Sequence, residues 1–160
     1  MRQRREAKPD AFDRIIIETT GLDDPAPVAQ TFFIDDDIAE YYALDAIVTV
    51  VDAKHADSQL DEFHEAQEQV GFADRILLSK SDLVSDAEGE RVRERLLRIN
   101  PRAPIRAVHF GDTPIADLLD IGGFSLDSIL EIEPGFLDEN HPEPDDAVQS
   151  FVFTCAAAFD

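Results

Sequence analysis

Ser79-Lys80-Ser81-Asp82 is the stretch of this chain with the most definite chemistry. It follows the apolar run Ile76-Leu77-Leu78 directly. A short apolar run that ends abruptly in polar residues reads as a buried strand opening into a loop. In open α/β sheets, ligands occupy the crevice outside the carboxyl ends of the strands. Placed there, the Asp82 carboxylate can accept two hydrogen bonds, from the ring N–H and the exocyclic amino group of guanine. Adenine lacks that donor pair and would leave a buried acceptor unpaired. The aliphatic stem of Lys80 can lie across the base while its ammonium stays in solvent. The competing reading is an ordinary polar loop that caps a helix, because short motifs also arise by chance.

Other polar residues close apolar runs in the same way. Glu18-Thr19-Thr20-Gly21 follows Ile15–Ile17, Asp52 follows Ala46–Val51, and His109 follows Ile105–Val108. His55, just beyond Asp52, stands where the crevice should open and could ligate a transition metal, although lone histidines are usually not ligands. His64 and His141 are weaker candidates, and the His109 side chain could lie near the site without a chemical role. Asp35-Asp36-Asp37 reads as a solvated helix cap rather than a metal patch. Cys155 is the one cysteine, so a single chain has neither a disulfide framework nor an all-cysteine metal site.

The elements that must position these residues follow from the apolar spacing. Strands are expected over Phe12–Glu18, Leu44–Val51 (buried on both faces), Ile76–Leu78 and Ile105–Val108, with a further one over Val148–Phe153. A helix should begin at Asp23-Asp24-Pro25, with Val28, Phe32 and Phe33 in the core. Further helices are expected at Ile38–Ala43, Ser58–Val70, Ser85–Ile99 and Thr113–Leu119. Ser85 and Glu88 have capping-box spacing, and Val92, Leu96, Leu97 and Ile99 make an apolar face. The arginines of that helix read as surface ion-pair partners. Asn100-Pro101 should stop the helix, and Gly122-Gly123 should break the one that follows. The strands, each ending in a polar loop, predict a mostly parallel sheet with Glu18, Asp52, Lys80 and His109 along one edge.

The pieces IIIETTGLDDPAPVAQTFF, LDAIVTVVDA, QVGFADRILLSKSDL and INPRAPIRAVHFGD occur in unbroken order between Phe12 and Phe124. Together they resemble the CobW/HypB/UreG family of P-loop GTPases, in its CobW-like branch. The resemblance implies a partial P-loop NTPase-like α/β fold, with a mostly parallel sheet flanked by helices. The first strand of a second, small α+β domain would stand at the C-terminus. It divides the chain into a partial GTP-binding domain over 1–130, an acidic proline-containing linker over 131–147, and the start of a truncated domain over 148–160.

The resemblance also assigns roles. Glu18 would orient Mg²⁺-bound or attacking water, and the Gly21 backbone would approach the γ-phosphate. Ser79, Lys80 and Asp82 would bind the guanine nucleotide, with Ser79 where many GTPases carry Asn. His55 is the candidate metal ligand. The cofactors implied are GTP or GDP with Mg²⁺, and Zn²⁺ or Co²⁺. No Gly-x-x-x-x-Gly-Lys-Ser/Thr occurs in the sequence, and the family carries that phosphate loop, with its Cys-x-Cys-Cys motif, ahead of the matched stretch. The expectation is therefore a fragment of a GTP-hydrolysing metallochaperone, inactive by itself. It would act on a metalloprotein client or with a complementary chain. The alternative is a catalytically dead scaffold of the same fold that works through protein contacts.

Composition narrows the partners. Asp and Glu number 35 against 14 Lys and Arg, for a net charge of -21. Such a field repels nucleic acid and anionic membranes, and it makes any triphosphate site depend on a cation. It also fits a salt-adapted cytoplasm, where ionic strength screens self-repulsion. The start, MRQRREAKPD, lacks an apolar signal core, so a cytoplasmic protein is expected. The resemblance adds that a sheet lacking the phosphate-loop strand would have an open edge, which would favour a homo-oligomer.

Overall fold

The structure, a computed structural model, describes residues 13–21, 23–132 and 134–137. Its centre is a three-stranded parallel sheet in the order β1-β2-β3: β1 is Val48–Asp52, β2 Arg75–Ser79 and β3 Ile105–Ala107. Strand β2 lies in the middle and buries Ile76, Leu77 and Leu78 on both faces, as an inner parallel strand should. The register sets Asp52 opposite Ser79 and Leu78 opposite Ala107. The polar ends of the strands therefore fall along one edge.

Strand β1 departs from the sequence expectation in two ways. It begins at Val48 because the preceding backbone is engaged with loops: Ile47 bonds with Asp74 on both its N–H and its carbonyl, and the Asp45 carbonyl accepts from Gly123 and Phe124. It is also not buried on both faces, since Val50 is 65% exposed. No strand pairs with its outer side among the described residues.

The expected strand at Phe12–Glu18 is likewise corrected. Residues 14–20 run without ladder bonds, and Ile15, Ile16 and Ile17 are exposed. A β-branched run becomes a strand only where an adjacent backbone edge accepts it. Here the segment is held instead by the Arg14–Asp120 ion pair, with nitrogen–oxygen distances of 2.6 and 2.8 Å, and by turn bonds between Thr20 and Asp23.

Helix α1, Pro25–Ile34, is capped by Asp24, whose carboxylate accepts from the Ala26 N–H at 2.8 Å. Its buried positions are Ala26 and Ala29, with Phe33 partly buried beside them, rather than Val28 and Phe32. Asp35 caps the single turn of α2, Asp36–Ala39, so the acidic triplet does serve as a cap. One expected helix is two: α3, Ala56–Glu62, and α4, His64–Gly71, meet at Phe63 in extended conformation. The Gln67 amide donates to the Leu60 carbonyl across that break. Helix α5, Asp86–Ile99, carries the full capping box between Ser85 and Glu88 and buries Val92 and Leu96. Leu97, expected in its apolar face, is 40% exposed. Arg91 and Arg95 of α5 pair with Asp57 of α3, and Arg95 also with Asp61.

Asn100, at the end of α5, is fully interior. Its amide donates to the carbonyls of Val70, Gly71 and Ala73, and its Oδ1 accepts from the N–H groups of Arg102 and Ala103. It ties the start of β2 to the turn before β3.

Past β3, the expected helix over Thr113–Leu119 is a single 3-10 turn at Ile115–Asp117. Helix α6, Leu126–Ile132, was not expected and places Ile129 in a second core with Ala26, Ala29, Phe72 and Phe136. Buried packing thus continues to Phe136, inside the stretch the sequence assigns to a linker. The expected strand at Val148–Phe153, Cys155 and His141 lie outside the described residues. Among the described residues, no helix is long and apolar enough to cross a membrane.

Candidate functional site

The carboxyl end of β1 delivers Asp52, and the carboxyl end of β2 delivers Ser79 and then Lys80. Lys80 adopts a left-handed backbone conformation, φ 57°, which turns the chain into the short helical turn Ser81–Leu83. Its ammonium reaches back to Asp52, with Nζ donating to Oδ2 at 2.7 Å. The Lys80 side chain stays 53% exposed, and its ammonium takes Asp52 as a partner, which the sequence reading did not anticipate. A carboxylate only 19% exposed at the end of the neighbouring strand needs a compensating charge, and Lys80 is within reach.

Asp52 gathers two more donors. His55 Nδ1 lies 2.9 Å from Oδ2, and the Lys54 N–H donates to Oδ1 at 2.9 Å. Burial by itself would raise the Asp52 pKa. The hydrogen bonds from His55, Lys80 and the Lys54 backbone outweigh it and bring the group down to about 2. Asp52 is thus held as an anion that clamps the Lys80 stem in place.

Asp82 stands two residues on, its side chain 47% exposed. The loop after β3 supplies its neighbour: His109 Nδ1 lies 3.3 Å from Asp82 Oδ1. That loop is fixed to β2 by the Val108 N–H donating to the Leu78 carbonyl at 2.9 Å. A bridge between His109 and Asp112 closes it on itself. Asp82 is acceptor-only when ionised and offers more lone pairs than His109 uses. It is open to a ligand that presents two adjacent donors.

Comparison with known proteins identifies the family of this domain. The profile of the CobW/HypB/UreG nucleotide-binding domain matches residues 1–107. The chain belongs to the CobW/HypB/UreG family. It is 46% identical over 126 residues to the zinc chaperone YjiA of Escherichia coli K12, a match covering 78% of this chain and 39% of that protein. It is 39% identical over 124 residues to the zinc-regulated GTPase metalloprotein activator 1 of Schizosaccharomyces pombe, covering 76% of this chain and 30% of the relative. The crystal structure of Zn(II)-bound YjiA GTPase superimposes with a TM-score of 0.69 at 44% identity, over 77% of this chain and 38% of that one. The chain therefore spans about two fifths or less of the length of these relatives.

Within this CobW-family domain, the structure joins Asp52, His55, Ser79, Lys80, Asp82 and His109 along one edge. Ser79 turns its hydroxyl inward, donating to the Val51 carbonyl at 3.2 Å. Glu18 and Gly21 are exposed in the segment that precedes α1. That segment is secured by Arg14 to Asp120 and by the Asp23 carbonyl, which accepts from Gln69 at 2.7 Å. No described contact joins it to Lys80 or Asp82. His55 has Asp52 as its partner, and no cluster of three or more His, Cys, Asp or Glu side chains suited to a metal occurs among the described residues. Sequence reasoning placed Asp52 on this edge but gave it no role. Its signal was available: an acid closing the apolar run that precedes the Lys-x-Asp strand.

Proposed function

We propose that this chain is the guanine-reading part of a GTP-dependent zinc chaperone. The observation that carries the reading is the clamp of Lys80 on Asp52 at 2.7 Å beside an open Asp82 carboxylate. In this reading Asp82 accepts from the ring N–H and amino group of guanine, the Lys80 stem lines the base, and Ser79 and Asp52 fix the loop. Zinc is the cargo, in keeping with the names of the relatives, and is passed to a metalloprotein client in a cytoplasmic setting. The described residues fit the base but not the phosphates. They offer no glycine-rich cradle of N–H groups, so GTP and Mg²⁺ would depend on a phosphate loop ahead of residue 12. Glu18 and Gly21 are assigned to hydrolysis only in that longer context, where a strand beside β1 could draw their segment into the sheet.

The test is GTP turnover by this chain and by a version extended with a phosphate loop ahead of residue 12. The extended version should release phosphate and the chain alone should not. Equal rates would contradict the division of labour, and no turnover by the extended version would contradict the GTPase reading.

A further inference from the structure

The guanine reading leaves Phe110 unexplained. Its ring is 96% exposed, and its backbone lies in the left-handed region at φ 47°, which a bulky side chain rarely adopts. Neither feature helps the core, since the ring meets only the neighbouring His109 side chain among the ring contacts of the described residues and the backbone is strained. The surrounding loop nevertheless enforces the conformation. Val108 is bonded to Leu78, the Asp112 N–H donates to the His109 carbonyl at 2.9 Å, and Gly111 follows at φ 74°. Strain that the structure holds in place is a feature of ligand sites.

The position of this ring supplies the ligand. His109 contacts both neighbours: Nδ1 lies 3.3 Å from Asp82 Oδ1, and the imidazole meets the Phe110 ring edge-to-face at 4.5 Å between centroids. Phe110 is therefore one ring away from the carboxylate that reads the base. Lys80, also left-handed, flanks that carboxylate two residues earlier in the chain. We infer that Phe110 is the outer wall of the base site and stacks on the base that Asp82 holds. This rests on the guanine reading above. Every base has a π-face, so stacking adds affinity without choosing among bases. Phe110 then supplies affinity and Asp82 supplies selectivity.

The separation of roles gives the test. The chain contains no tryptophan, so Phe110→Trp creates a single fluorescent reporter on an exposed position that leaves the core untouched. GDP and ADP, taken to millimolar concentration, should both change the indole emission, and pyrophosphate should not. By equilibrium dialysis, Phe110→Ala should weaken GDP and ADP about tenfold each, leaving their ratio unchanged. Phe110→Gly, which also relieves the backbone, should be no less stable than the parent and bind as weakly as Phe110→Ala. If the parent prefers GDP and both truncations bind it equally well, Phe110 is not a wall of the site and the guanine reading survives. An indole unmoved by a nucleotide that the chain demonstrably binds overturns the inference in the same way, and points to a partner protein on this surface. If the parent shows no preference for GDP over ADP, the guanine reading fails and takes this inference with it.

Discussion

Lys80 and Asp52 join the carboxyl ends of two adjacent parallel strands, Nζ to Oδ2 at 2.7 Å. The contact settles where the Lys80 stem runs and leaves the carboxylate of Asp82 as the open acceptor of the loop. Asp52→Ala should release Lys80 and the His55 ring together. We expect guanine-nucleotide affinity to fall about tenfold or more, since a mispositioned contact in a site of this kind costs about 1–3 kcal/mol. Dialysis against GDP would measure it. Affinity unchanged in Asp52→Ala would remove the clamp from the account.

Asp52 should also leave a signature in acid. Its folded-state pKa is depressed, to about 2 from the usual 3.8, so the folded chain binds its proton less readily than the unfolded chain. The resulting stability is fully present above the unfolded value and is lost as pH falls from about 3.8 towards about 2. Urea midpoints of the parent and of Asp52→Asn should differ by a constant amount at neutral pH and converge across that interval. A gap that persists down to the lower limit would show that the carboxylate charge is not the source.

Asn100 tests the packing that supports the site. Its side chain satisfies carbonyls at Val70, Gly71 and Ala73 and two N–H groups beyond α5. Asn100→Ala leaves several buried polar groups without partners, at about 1–3 kcal/mol each. We predict a loss of about 3 kcal/mol or more in urea-derived stability. A loss below about 1 kcal/mol would mean that water replaces the amide.

The sequence placed the loop of Lys80 and Asp82 at a strand end more readily than it marked the limits of the outer strands. Lys80 and Asp82 were readable because Ile76–Leu78 is a short, fully apolar run with one possible ending, and both faces of β2 are indeed covered. Ser85 and Glu88 gave the start of α5 because capping depends on local spacing alone. Ile15–Ile17 misled for the opposite reason: a β-branched run signals a willingness to pair, and pairing needs an edge that the segment does not meet. Phe63 splits a helix that periodicity reads as continuous, because the break is satisfied by a tertiary bond from Gln67. Helix α6 was hidden behind Gly122-Gly123, although Leu126, Ile129 and Leu130 carry helical spacing.

Charge and the outer side of β1, unpaired among the described residues, together predict salt dependence. With a net charge of -21, self-repulsion opposes compaction at low ionic strength, and Val50 and Ile15–Ile17 expose apolar surface. The thermal midpoint should rise between low and molar salt, and the chain should associate as repulsion is screened. Sedimentation and thermal melts across a salt series would check both. A sharp, monomeric transition already present at low salt would count against the prediction.

The central claim is that Asp82 reads the base through guanine's two adjacent donors. Xanthine carries a carbonyl where guanine carries the amino group, so Asp82→Asn, which exchanges one acceptor for a donor, should suit xanthine and repel guanine. The decisive measurement is a calorimetric titration of GDP, ADP and xanthosine diphosphate into the parent and the Asp82→Asn chain, both carrying a restored phosphate loop so that the phosphates are held alike in every titration. The account predicts that the parent prefers GDP to both others and that the variant prefers xanthosine diphosphate to GDP. The same order of affinities in both chains, or equal binding of GDP and ADP by the parent, would contradict it.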